Sequence, residues 1–177
     1  RSAPIGILGA GTGLGEAIVV PEGRRWRVVP TEGGHTDFGP RNAQQRELLA
    51  ILEARYGHVS YERLLSGHGL VNIFTFLRDR KTGRETAPRD LTAEDVNLPA
   101  AIAADADRGD PLALETFDTF IDIYGAEAGN LALKTLARGG IYIAGGIAAK
   151  NIPRFLDGRF MEAFAAKGRF ESLMREI

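Results

Sequence analysis

A chain of 177 residues is long enough to bury a core as one domain without staples, and its lack of cysteine excludes a disulfide framework, a thiolate zinc site and a cysteine nucleophile. With 22 Lys and Arg against 23 Asp and Glu, the formal charge is -1, so no global field draws the protein to nucleic acid or an anionic membrane. Any anion must be held locally, and a reducing compartment, the cytoplasm, is expected.

Ile5 to Leu8 reads as a buried strand that enters the stretch Gly9-Ala10-Gly11-Thr12-Gly13-Leu14-Gly15. Glycines at alternate positions let backbone N–H groups approach a ligand, and the Thr12 hydroxyl could donate to a phosphate oxygen. A P-loop would end in Gly-Lys-Ser/Thr, and the dinucleotide fingerprint would need glycine where Leu14 stands. Ala17 to Val20 and the turn Pro21-Glu22-Gly23 follow, so the loop joins two antiparallel strands, with a third at Trp26 to Val29. On this stretch alone a phosphate cradle and an ordinary hairpin turn stand about even.

The run Thr31-Glu32-Gly33-Gly34-His35-Thr36-Asp37 sets two carboxylates and an imidazole between glycines, a composition suited to a ring of hydroxyls. His35 and Asp37 lack the spacing of a metal site, and none is expected. A helix is predicted from Asn42 to Tyr56, ended by Gly57. Ser60 is read as the N-cap of a short helix from Tyr61 to about Leu65 with Glu62 in its first turn, broken at Ser66-Gly67-His68-Gly69. A helix at Leu70 to Arg78, a polar loop at Lys81 to Asp90 and a helical stretch from Thr92 towards Ala106 come next, Pro99 blurring the last. Asp110 and Pro111 open the longest helix, running to Ala137, with Gly125 and Gly129 on one face for close packing. Ile141 to Ala144 is a strand ending in Gly145-Gly146, where ligands sit in open α/β sheets. A final helix begins near Asn151 and carries Phe155, Leu156, Phe160 and Phe164. The order predicts an α/β domain with a mixed sheet.

Gly9 to Gly15, Glu32-Gly33-Gly34-His35, His58 to Gly67, Gly129 to Leu133 and Ile143 to Ile147 resemble, in order, motifs of the bacterial ATP-dependent glucokinases. The resemblance implies the ribonuclease H-like (actin-like ATPase) fold, with three antiparallel strands first and a helical insertion. It makes Gly11, Thr12 and Gly13 part of a phosphate loop, Gly145 and Gly146 part of the adenosine site, and Glu32, His35 and Glu62 ligands of sugar hydroxyls. It implies ATP and Mg2+ as cofactors, D-glucose as substrate, the 6-hydroxyl as acceptor, and a cytoplasmic homodimer without nucleic-acid or membrane partners. The family's Asp-x-Gly-Gly-Thr loop and general-base aspartate have no counterpart in residues 1–177. The chain therefore reads as a single domain, most of the large domain of a kinase, inactive alone. A non-catalytic sugar sensor on the same fold is the alternative.

Overall fold

A computed structural model describes residues 3–83 and 97–177. β1 (Ile5–Ala10) and β2 (Leu14–Glu22) pair antiparallel, and β3 (Arg25–Thr31) continues antiparallel on β2. The ladder runs further than the apolar runs suggest. Gly9 pairs with Gly15 and Ala10 with Leu14, so the loop shrinks to Gly11, Thr12 and Gly13. β4 (Ile141–Ala144) lies on the other side of β1 and parallel to it, giving the order β3-β2-β1-β4 and the expected mixed sheet.

α1 (Ala43–Tyr56) stops at Gly57, as read from the sequence, and starts one residue later than expected because Asn42 is its cap, the side chain accepting from the Gln45 N–H. The next segment corrects that reading. Tyr61–Arg63 is a single 3-10 turn, and the Ser60 side chain caps nothing. The cap is Ser66, whose Oγ accepts from the Gly69 N–H at 3.0 Å, so the supposed break is the first turn of α2 (Gly67–Thr82). Glycine is needed there because a Cβ on Gly69 would land on the Leu64 carbonyl. Lys81 and Thr82 finish α2 instead of opening a loop, and Gly83 caps it at φ +64°; residues 84–90 of that loop and the helix start at Thr92 to Asp95 lie outside the described residues. α3 (Leu98–Asp107) carries Pro99 in its first turn, where a missing N–H costs no hydrogen bond, so the proline marks a beginning.

α4 (Pro111–Thr135) begins as predicted, with Asp110 Oδ1 accepting from the Ala113 N–H at 2.8 Å. It ends earlier than predicted, at Leu136, which adopts the left-handed conformation at φ +46°. A left-handed residue bearing a Cβ is strained, and Leu136 is exposed, so Leu136→Gly is expected to stabilise the fold by about 1 kcal/mol, read as a higher melting temperature. The C-terminal region also departs from the single helix expected. It divides into α5 (Gly146–Lys150), α6 (Ile152–Phe155), α7 (Arg159–Ala165) and α8 (Glu171–Met174), with Gly158 at φ +101° separating α6 from α7. α7 rests on the glycine face of α4: a Cβ on Gly125 or Gly129 would collide with the Phe160 or Phe164 carbonyl. Between the sheet and these helices lies a core of Leu8, Phe76, Phe117, Phe120, Tyr124 and Leu131.

Candidate functional site

Because β1 and β4 are parallel, their carboxyl ends open on the same edge of the sheet, where Gly9 pairs with Ala144. That edge is fixed from beneath. Tyr124 of α4 accepts from the Ala10 N–H at 3.1 Å and donates to the Leu8 carbonyl at 3.2 Å, and burial pushes its phenol up to about 12, so it stays a donor. Above it, the Gly11 N–H donates to Gly13 O, and Gly67, the first residue of α2, donates to Gly11 O, both at 2.8 Å. Thr12 is exposed. Gly145 sits at φ +86°, where a Cβ would strike Ala10 O, whereas nothing lies within 4 Å of the Cβ position at Gly11 or Gly146. The loop and the glycine pair thus border open space at one sheet edge.

The polar residues arrive by a second route. Phe38 N–H donates to Val59 O at 2.9 Å and Tyr61 N–H to Thr36 O at 3.1 Å, which zips the segment after His35 to the segment before Glu62. His35 Nε2 comes to lie 4.0 Å from Glu62 Oε1, and the other Glu62 oxygen accepts from the Leu14 N–H at 3.0 Å. Glu62 therefore faces His35 on one side and holds the end of the glycine loop on the other. Gly13 is small for the same reason: a Cβ there would crowd Glu62 Oε2. Glu32 heads the Gly33–His35 turn with an exposed side chain, and its backbone carbonyl accepts from the His35 N–H at 3.0 Å. Asp37 turns away to His58 Nε2, 2.8 Å distant. Gly33 and Gly34 serve packing: added Cβ atoms would land on Glu16 Oε2 and on Leu14 O, so the pair lets the turn lie against β2.

Sequence reasoning missed the polar group beneath these turns. Glu16 on β2 is 8% exposed, its Oε1 has no hydrogen-bond partner, and burial, reinforced by Glu127 and opposed by Lys134, pushes its carboxyl up to about 7. Glu127 on α4 is fully buried; its Oε2 accepts from Asn130 Nδ2 at 2.7 Å, and its Oε1 lies 3.6 Å from Lys134 Nζ. Asn130 Nδ2 also donates to Tyr61 Oη at 3.1 Å, and its Oδ1 accepts from Lys167 Nζ at 2.6 Å. Burial is the main force raising the Tyr61 phenol and lowering the Lys167 ammonium. The signal was available in strand alternation, which puts Glu16 on the inward face between Leu14 and Ile18.

An apolar cavity of about 510 Å³ opens beside β4, lined by Ala144, Gly145, Ile152, Phe155, Leu156 and Phe160 among others. It shares only Gly145 with the expected nucleotide residues and has no charged lining. Among the described residues, no three His, Asp or Glu side chains gather as a metal site, and no helix is long and apolar enough to cross a membrane.

A family model described as glucokinase matches residues 1–177. The chain belongs to the glucokinase family. A glucokinase from Synechocystis sp. is 46% identical over 191 residues, covering 99% of this chain and 54% of that protein, and one from Photorhabdus laumondii is 39% identical, covering 100% and 53%. A crystal structure of glucokinase from an Antarctic psychrotroph superposes with a TM-score of 0.84 at 30% identity, covering 100% of this chain and 52% of the other. Glucokinase from Balamuthia mandrillaris, at 24% identity and a TM-score of 0.79, shares the fold. The chain spans about half the length of the curated relatives it matches. Its mixed sheet and helices are those of the actin-like ATPase fold that the glucokinase resemblance implied.

Proposed function

We propose that this chain is most of the large domain of a longer kinase that transfers the γ-phosphoryl group of ATP to the 6-hydroxyl of D-glucose. The observation that carries the reading is Glu62, whose carboxylate stands between His35 and the backbone of the glycine loop. One side chain then serves both ends of the transfer. Glu32, His35 and Glu62 pair with sugar hydroxyls; Gly11, Thr12 and Gly13 approach the phosphates; Gly145 and Gly146 leave room for the adenosine. Relatives named glucokinase support this assignment and do not favour a non-catalytic sensor.

In such a transfer the protein mostly positions the reactants and stabilises charge. The aspartate that takes the hydroxyl proton is assigned to the other half of the kinase, and Mg2+, bound with the triphosphate, would neutralise its charge. The family resemblance supports a cytoplasmic homodimer. ATP consumption by the full-length kinase, coupled to glucose 6-phosphate formation, tests the reading, and no glucose-dependent turnover would overturn it. In the same assay Thr12→Val is expected to raise the KM for ATP about tenfold, from the loss of about 1.5 kcal/mol for one hydrogen bond to a charged group, with the KM for glucose nearly unchanged. Normal ATP kinetics would reduce the loop to a hairpin turn.

A further inference from the structure

An unpaired carboxyl buried under a loop costs stability, and an aliphatic residue at the same inward position of β2 would avoid the cost. Glu16 therefore calls for a reason, and its surroundings supply one. Its Oε2 occupies the space a Cβ would need at Gly33, the residue between Glu32 and the rest of the turn that bears His35. Its backbone is tied to the same turn, since the Thr31 hydroxyl donates to Glu16 O at 3.3 Å and accepts from the Gly33 N–H at 3.1 Å. Across the core Glu16 feels Glu127 and Lys134, and Glu127 shares Asn130 with Tyr61, the neighbour of Glu62. The turns bearing His35 and Glu62 thus stand on one buried polar floor.

We infer that Glu16 is a positioning residue for sugar binding, setting the height of Glu32 and His35 through its contact with Gly33. The inference rests on the proposal that those residues and Glu62 bind glucose. Gly33 has no positive φ, so its backbone could accept alanine. The obstacle to a methyl group there is chiefly the Glu16 carboxyl, with Thr31 Oγ1 at 3.2 Å having to give slightly. Steric conflict between two named positions makes a mutational cycle the natural test.

The experiment uses the full-length kinase and four variants: Gly33→Ala, Glu16→Ala, the pair combined, and Glu16→Gln. The KM for glucose, the KM for ATP, kcat and melting temperature are measured for each, with Glu62→Gln as a parallel control. Gly33→Ala should raise the KM for glucose about tenfold and change that for ATP less than about twofold, because only the sugar turn is displaced. Adding Glu16→Ala should recover most of that loss by making room for the methyl group. Glu16→Gln, which keeps the shape, should lie closer to the parent than Glu16→Ala. Additive losses in the cycle, or glucose, ATP and kcat changing together with melting temperature, would overturn the positioning role while leaving the sugar site standing. An unchanged KM for glucose in Glu62→Gln would instead remove the sugar-site reading, and the positioning role with it.

Discussion

In the full-length kinase, Glu62→Ala is expected to raise the KM for glucose by two orders of magnitude or more. The carboxylate has two distinct oxygens to lose: Oε1 stands 4.0 Å from His35 Nε2, and Oε2 accepts from the Leu14 N–H at 3.0 Å. A hydrogen bond from a sugar hydroxyl to a charged group is worth about 1.5 to 3 kcal/mol, so a carboxylate that takes two of them contributes roughly 3 kcal/mol or more, and 1.4 kcal/mol is tenfold in affinity. Glu62→Gln keeps one carbonyl acceptor and should cost about half as much. Because the Leu14 amide would lose its partner, the KM for ATP should also rise in the alanine variant, though less. Steady-state kinetics over a grid of glucose and ATP concentrations would show both effects, and a glucose KM within threefold of the parent would place the sugar elsewhere.

A second large effect is expected in stability, with the opposite sign. Burial pushes the Glu16 carboxyl up to about 7, above its ordinary 4.5, so the native state holds its proton more tightly than the unfolded chain does. Its contribution is full below about 4.5, declines as pH rises towards 7, and is lost above that. A shift of this size corresponds to at most about 3 kcal/mol, and partial solvent screening brings it nearer 2 kcal/mol. Glu16→Gln cannot ionise. It should therefore melt roughly 4 to 8 °C above the parent at pH 8 and close to it at pH 5, the gap opening between those values. Equal displacement at both pH values would mean that shape, and not charge, sets the difference.

Much of this architecture was legible in the residues. The three early strands, the helix that stops at Gly57, the Asp110-Pro111 start and the glycine face of α4 each follow from a local rule, and each is found. The misreadings share a cause. At Ser66 to Gly69 the glycines suggested a break, but Gly69 is dictated by the nearness of the Leu64 carbonyl, a contact that spacing does not reveal. Gly33 and Gly34 stand in a run whose polar composition suits a ligand, yet what they do first is make room for β2. His35 and Glu62 were paired by resemblance, and their meeting depends on the hydrogen bonds between Thr36–Phe38 and Val59–Tyr61, which no periodicity encodes. Glu16 and Glu127 were overlooked because motif reading looks for polar residues in loops, whereas these lie in regular elements facing inward.

The parallel pairing of β1 with β4 also bears on how the molecule assembles. Gly6 meets Ile141 and Gly9 meets Ala144, so the two sides of that sheet edge come from strands separated in sequence by everything from β2 to α4. The β1–β2–β3 meander needs only short closures, while the β1–β4 ladder must close over every element from β2 to α4, and loop-closure entropy grows with that length. Contacts between distant segments form slowly for the same reason. In a refolding experiment with pulsed hydrogen exchange, amides of the β1–β2 hairpin should gain protection first and those joining β1 to β4 last. A kinase assembled in this order would be unable to grip a nucleotide until its fold is nearly complete, so a partly folded chain would not sequester ATP.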